Sequence, residues 1–402
     1  MLAPITLALL VGLFACFVCA KPASALPSGF SDAKVVDVSQ PTALAFTPDG
    51  RMLVTSKPGQ LHVFDQGGNP LASPVLNLGP EVCDNSERGL LGVAVDPRFE
   101  EVGHNYVYLY YTVKVGPTCD ESRDEDNCVS RFKMNDNTVD ESTEEVLIDK
   151  IRSPHGNHNG GTLKFGKDGN LYVSVGDGGC SYAASTRCQY ENDASRHRHV
   201  LLGKILRIKP DGNIPTDNPY YADPDSERCH VTGRTEIGKN CQETFVRGLR
   251  NPFRKAFDPD TPGTTTRLFI NDVGGQRWEE IDQAKVGTQD DGNDYGWNLC
   301  EGRHDNPYRG GRVNCSGSTY TGPIHEYSHR TGCESITGGA FVPDGLWPAK
   351  YDDAYLFGDF VCGKIFSLKP VDGGFRREVF EGGLGGRSAV AMTFGPYSAG
   401  KA

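Results

Sequence analysis

An all-β fold, a β-propeller of about six blades with long, disulfide-stapled loops, is what this sequence predicts. Three observations carry the prediction. Gly 49 and Pro 25 are abundant among the 402 residues, and helix-periodic apolar runs are scarce, so turns and strands dominate. A unit of apolar strand, Pro/Asp/Gly turn and second strand recurs along the chain. The recurrence comes in six copies at intervals of tens of residues, the pattern of radially repeated sheets.

The first copy is Leu44 to Val54, reading LAFTPDGRMLV. The second runs from Gly92 through Asp96-Pro97 to Tyr106–Tyr110, and the third is Leu163 to Val173, LKFGKDGNLYV. The fourth joins Ala256-Phe257-Asp258-Pro259 to Arg267–Ile270, and the fifth joins Ala340–Pro343 to Tyr355–Phe357. Ala391 to Pro396 is the sixth and weakest. Ahead of them, Leu2 to Ala20 is an apolar run ending in small residues, which reads as a secretory signal within residues 1–25. Residues 26–402 then form a single propeller, with no second domain boundary.

The formal net charge of −11 argues against nucleic acid or an anionic membrane as partner. Eleven cysteines follow the leader, several in close pairs within polar loops. Cys119 with Cys128, Cys180 with Cys188, Cys229 with Cys241 and Cys300 with Cys315 are the expected staples, and the odd count leaves at least one thiol over. Together with the leader they place the chain in a secreted, extracellular or periplasm-like oxidising compartment. Beyond the leader no CxxC pair is present, which makes the usual zinc arrangements a poor fit. The acidic loop Asp120–Asp126 does not follow the ligand order of an EF-hand and reads as a solvated loop.

Chemistry concentrates in SPHGNHNGGTLKFGKDGNLYVSVGDGG, residues 153–179. Two alternating strands joined by the Lys167-Asp168-Gly169 turn make a hairpin, whose ends meet. His158 before it and Asp177 after it can therefore sit side by side, an imidazole oriented by a carboxylate. A turn cap and a carboxylate satisfying loop amides have the same spacing. Arg250 and Asn251 precede Pro252 at a strand end, where a guanidinium suits a carboxylate or a developing oxyanion, or simply closes a loop. Asp272-Val273-Gly274-Gly275 with Glu279, Glu280 and Asp282 supplies carbonyls and carboxylates of the kind calcium takes, and Asp290 to Trp297 repeats that chemistry. No GxGxxG, Walker or GxSxG motif supports a nucleotide cofactor or serine hydrolysis.

In order along the chain, Glu87-Arg88-Gly89-Leu90-Leu91-Gly92, His158-Asn159-Gly160-Gly161, Gly176-Asp177-Gly178 and Gly248-Leu249-Arg250-Asn251-Pro252 resemble the soluble quinoprotein glucose and aldose sugar dehydrogenases, the glucose/sorbosone dehydrogenase family. Asp272-Val273-Gly274, Tyr295-Gly296-Trp297, Ser335–Gly339 and Leu356–Asp359 extend the resemblance, which also reaches Hedgehog-interacting-protein-like propellers. The resemblance implies a six-bladed propeller that binds pyrroloquinoline quinone (PQQ) and Ca2+ at one end of its axis and oxidises the anomeric C1 hydroxyl of an aldose to a lactone. It implies His158 as the base, Asp177 as its orienter and Arg250 beside the reacting carbonyl. Glu87, Arg250, Asn251 and Arg387 would contact the cofactor. The carbonyls of Gly274 and Gly275 would hold the cofactor's calcium, and Glu280 with the Tyr295 carbonyl a second, structural one. Glu87 stands where glucose-oxidising members carry an amide, which alters the expected sugar contacts. The electron acceptor that follows the cofactor is not implied. The alternative is a calcium-containing binding propeller of the Hedgehog-interacting type without redox chemistry.

Overall fold

The structure is a computed structural model that describes residues 26–119, 125–181, 186–188, 192–262, 266–286, 293–308 and 313–395. The leader, most of the acidic loop and Asp290 to Gly292 lie outside the described residues. Each of the first five Pro/Asp/Gly turns closes a hairpin, and each of these hairpins continues into two further antiparallel strands. Thr47 shows how: its amide bonds Arg51 O at 3.0 Å and its carbonyl accepts Gly50 N at 2.9 Å, turning Phe46 back into Met52.

Five four-stranded sheets result. The first blade is built from Pro41–Phe46, Met52–Ser56, Gln60–Phe64 and Pro70–Asn77. The second is Leu90–Val95, Tyr106–Val113, Glu125–Asn135 and Thr138–Ser153; the third is Leu163–Phe165, Leu171–Val175, Lys204–Ile208 and Thr244–Arg247. Pro252–Phe257, Thr266–Asp272, Trp278–Val286 and His325–Ser328 form the fourth, and Ile336–Phe341, Tyr355–Asp359, Lys364–Val371 and Gly374–Gly382 the fifth. Hydrogen bonds near the inner strands tie neighbouring blades together. Thr42 Oγ1 donates to Leu90 O at 2.6 Å, Thr162 Oγ1 to Phe253 O at 2.7 Å, and Asn271 Nδ2 to Thr337 O at 2.7 Å. Between blades the core is apolar: Tyr108, Leu163, Val173 and Leu206 fill one seam, and Phe269, Phe341, Tyr355 and Phe357 another.

Among the described residues the expected six blades are therefore corrected to five. The described part of the sixth copy, Ala391 to Gly395, forms no strand: Met392 lies against Gly338, and Gly395 against Phe46. A blade needs four strands, and residues 383–395 supply at most the innermost one. The N-terminal segment spans the same seam. Phe30 packs edge-on to Trp347 and Phe380 of the fifth blade, at 4.7 and 5.2 Å, while Val35 lies against Gly68 of the first.

Three expected disulfides are present, Cys180–Cys188, Cys229–Cys241 and Cys300–Cys315, with Cys333–Cys362 in addition. The Cys119–Cys128 staple is a misreading, because Cys119 pairs with Cys83. Cys128 is an inward-facing residue of a strand, 2% exposed, and strand alternation turns it away from the loop that carries Cys119. Burial pushes its thiol well above the ordinary range. Native protein is expected to leave Cys128 unmodified by iodoacetamide at pH 8, with one equivalent reacting only after denaturation, as read by intact mass.

Candidate active site

The predicted hairpin forms, with Leu163–Phe165 paired to Leu171–Val175, and it brings its flanks together. His158 Nδ1 and Asp177 Oδ1 are 2.6 Å apart. His158 adopts φ +53°, a left-handed conformation that is uncommon outside glycine. Two contacts hold it there. Its amide donates to Glu87 Oε2 at 2.8 Å, and its carbonyl accepts Gly178 N at 3.3 Å. Gly176 lies so close beneath that a Cβ would stand 1.9 Å from His158 O. Gly176→Ala is expected to displace the imidazole, costing about 1–3 kcal/mol of stability as overpacking, checked by thermal melting beside turnover.

Asp177 is fully buried and saturated. Oδ1 also accepts Gly179 N at 2.9 Å, while Oδ2 accepts Ser181 Oγ at 2.5 Å and Trp297 Nε1 at 2.8 Å. Burial alone would raise its pKa, but the adjacent His158, then Arg250 and Ser181, outweigh it and bring the group down to about 2. Asp177 is thus a fixed anion, and the bond it makes to Nδ1 leaves Nε2 as the ring nitrogen able to take a proton.

Arg250 and Asn251 enter through the backbone. Asp177 N donates to Arg250 O at 2.7 Å. The amides of Arg250 and Asn251 donate to the two carboxylate oxygens of Asp272, at 2.8 and 2.6 Å. Arg250 Nη1 bonds Val273 O at 3.0 Å, and its guanidinium lies 5.5 Å over the Trp297 ring. Asn251 Oδ1 accepts Gly160 N at 3.1 Å, tying this loop to the His158 turn.

Gly274 and Gly275 follow directly. Glu301 Oε1 accepts the amides of Gly275, Gln276, Arg277 and Trp278, at 2.9, 2.6, 2.7 and 3.1 Å. A trans peptide sets its C=O opposite its N–H, so the Gly274 and Gly275 carbonyls face away from Glu301. Gly274 admits no side chain, since a Cβ would lie 1.5 Å from Trp278 O.

Glu280 pairs in register with Asp272, and Asp282 lies two residues on, so the three carboxylates share one face of the hairpin. One oxygen from each falls within 4.8 Å of the others, all buried. Glu280 Oε2 and both Asp282 oxygens have no hydrogen-bond partner. Burial pushes all three upward: Asp272 to about 7, against the amides of Arg250 and Asn251 and with repulsion from Asp177, and Glu280 and Asp282 well above the carboxylate range with repulsion from within the trio. Orphaned hard oxygens at this spacing fit a divalent cation.

Tyr295 lies beside the same strand, its hydroxyl donating to Gln283 O at 2.8 Å, but the groups gathered with Glu280 are Asp272 and Asp282. Arg387 stands apart from this network: it is exposed, with its amide on Phe360 O at 2.7 Å. That position is on the site's end of the wheel, where Tyr355–Asp359 finishes and Ile336–Phe341 begins. Sequence reasoning passed over Trp297 and Ser181 as partners of Asp177, and Glu301 as the clamp on the glycine loop. The i, i+2 spacing of Glu280 and Asp282 on a strand was the available signal for the carboxylate cluster. Among the described residues, no helix is long and apolar enough to cross a membrane.

Residues 38–377 match the Glucose / Sorbosone dehydrogenase family. The HIPL2 protein of Arabidopsis thaliana is 26% identical over 393 residues, covering 81% of this chain and 52% of that protein. This chain thus spans about half the length of its plant relatives. Quinoprotein glucose dehydrogenase B of Acinetobacter calcoaceticus is 25% identical over 359 residues, 83% of this chain and 68% of that one. The soluble aldose sugar dehydrogenase of Escherichia coli in its apo form shares the fold, with a TM-score of 0.65 at 21% identity over 85% of this chain and 86% of that one. With its repeated blades and the site at one end of their axis, the chain belongs to the glucose/sorbosone dehydrogenase family.

Proposed function

We propose that the protein oxidises the anomeric C1 hydroxyl of an aldose to a lactone, using PQQ and Ca2+, in an extracellular or periplasmic compartment. The observation that carries this reading is the His158–Asp177 pair, bonded through Arg250 and Asp272 to a glycine loop whose carbonyls face away from Glu301. When bound, PQQ supplies the two-electron acceptor. The family match and the similarity to a quinoprotein glucose dehydrogenase support a sugar oxidoreductase. Five disulfides among the described residues suit the oxidising compartment.

His158 Nε2 takes the proton of the sugar hydroxyl, and Asp177 stabilises the imidazolium that results. Arg250, held by Val273 O and stacked over Trp297, places a fixed positive charge beside the reacting groups. Asn251 keeps the His158 turn and the Arg250 loop in register through Gly160. The Gly274 and Gly275 carbonyls and the Asp272, Glu280 and Asp282 carboxylates are the oxygen donors available to calcium. Arg387, on the same rim, offers an exposed cation to the carboxylates of the cofactor, and Glu87 anchors His158 by accepting its amide.

The test mixes the protein with PQQ and CaCl2 and follows dye reduction with a panel of aldoses. Cofactor-dependent absorbance with turnover supports the enzyme. Calcium uptake without PQQ uptake or turnover would favour a binding propeller, the reading suggested by 27% identity to mouse Hedgehog-interacting protein over 59% of this chain.

A further inference from the structure

About three residues below Asn251, the innermost strand of the fourth blade carries Arg254 and Lys255, 6% and 1% exposed. At ~3.3 Å per residue this is roughly 10 Å down the axis from the candidate active site. Both side chains converge on Thr162 of the third blade. Lys255 Nζ donates to Thr162 O at 2.6 Å and to Ser174 Oγ at 2.9 Å, and Arg254 Nη1 lies 3.4 Å from Thr162 Oγ1. Arg254 Nη2 reaches the first blade at Thr42 O, 2.6 Å away. Lys164, two residues beyond Thr162, contributes a third cation, with Thr393 Oγ1 at 3.5 Å from its Nζ.

No carboxylate answers these charges among the described residues. Asp96, the one acidic residue lining the adjoining cavity of about 340 Å³, is engaged by Arg98 N at 2.9 Å and Tyr108 OH at 3.1 Å. Arg254 Nε is buried with no hydrogen-bond partner. A cavity of about 20 Å³ is bounded by Lys164, Arg254, Lys255 and, from the C-terminal segment, Ala391 and Met392. That is room for one body the size of a water molecule.

Lys255 is driven well below its ordinary pKa by burial and by its two cationic neighbours, and as a neutral amine it still donates both of its bonds. Lys164 falls to about 8 by burial and by Arg254, so it stays mostly charged at neutral pH, and a guanidinium does not give up its proton. Lys164 is half-buried and Arg254 buried, and a buried charge is paired or neutralised. We propose that the axis holds a small monovalent anion of the halide class between Lys164 and Arg254, beneath the catalytic end and closed off by the C-terminal segment. This site is independent of PQQ and of the calcium ligands.

Two measurements test it on the full chain. Crystals grown in sodium bromide are expected to show an anomalous peak within hydrogen-bonding distance of Lys164 Nζ and Arg254 Nε. In solution the melting temperature is expected to be several degrees higher in sodium chloride than in sodium gluconate of equal ionic strength, because gluconate is too large for the cavity. Lys164→Met removes one like charge, so it is expected to fold and to lose the chloride increment. No bromide peak together with equal melting in the two salts overturns the proposal. If the variant does not fold, the bromide map of the unaltered protein decides alone.

Discussion

His158→Ala is expected to lower aldose turnover by about two to four orders of magnitude, the usual contribution of a positioned base, while PQQ uptake stays nearly intact. Stopped-flow dye reduction and a PQQ absorbance titration separate the two quantities. Asp177→Asn is expected to cost a similar factor by a different route. An asparagine amide facing Nδ1 donates to it, which puts the imidazole proton on Nε2 and removes the base. The amide also cannot accept all four donors that converge on Asp177, so a stability loss of about 1–3 kcal/mol accompanies the kinetic one. Turnover that survives both substitutions would remove this pair from the chemistry. The native carboxylate leaves its own mark on stability. Its folded pKa of about 2 lies below the ordinary 3.8, so its stabilisation is complete above pH 4 and lost as pH falls through 2.

Much of this was legible in the chain because strands and tight turns are local. Five of the six repeat copies became the first hairpins of five blades, since each holds its own alternation and turn residues. The sixth carries the same local pattern, yet pairing is decided by neighbours, and among the described residues no second strand pairs with residues 383–395. The Cys119–Cys128 misreading has a similar origin. Short spacing suggests a staple, whereas the strand direction of Cys128 is set by pairing with Tyr111 across the sheet. His158 and Asp177 were recoverable because a hairpin forces its ends together. Trp297 was not recoverable as a partner of Asp177, because it arrives from 120 residues away. Glu301 likewise reaches the glycine loop from a separate excursion of the chain.

Chelation is the second large effect expected. Without a cation, the folded state must hold Asp272, Glu280 and Asp282 together under cover. Asp272 is raised from 3.8 to about 7, and the other two lie well above their ordinary values. Where a folded pKa is raised for an acid, the native state binds more protons than the unfolded one, so stability falls as pH climbs from about 4 towards 7 and beyond. A divalent ion replaces those protons and reverses the trend. Melting of calcium-loaded and EGTA-treated protein is therefore expected to differ little at pH 5, where protons compete for the oxygens, and by many degrees at pH 8. Asp282→Asn is expected to lose most of the calcium increment while partly stabilising the chelated form, because it removes one of three repelling carboxylates at little change in volume. Equal melting with and without calcium at pH 8 would mean that the orphaned oxygens of Glu280 and Asp282 are not metal ligands. The bond from Asp272 to the amides of Arg250 and Asn251 carries the consequence to the active site. Calcium loss that frees Asp272 is expected to loosen the Arg250 loop and lower turnover along with stability.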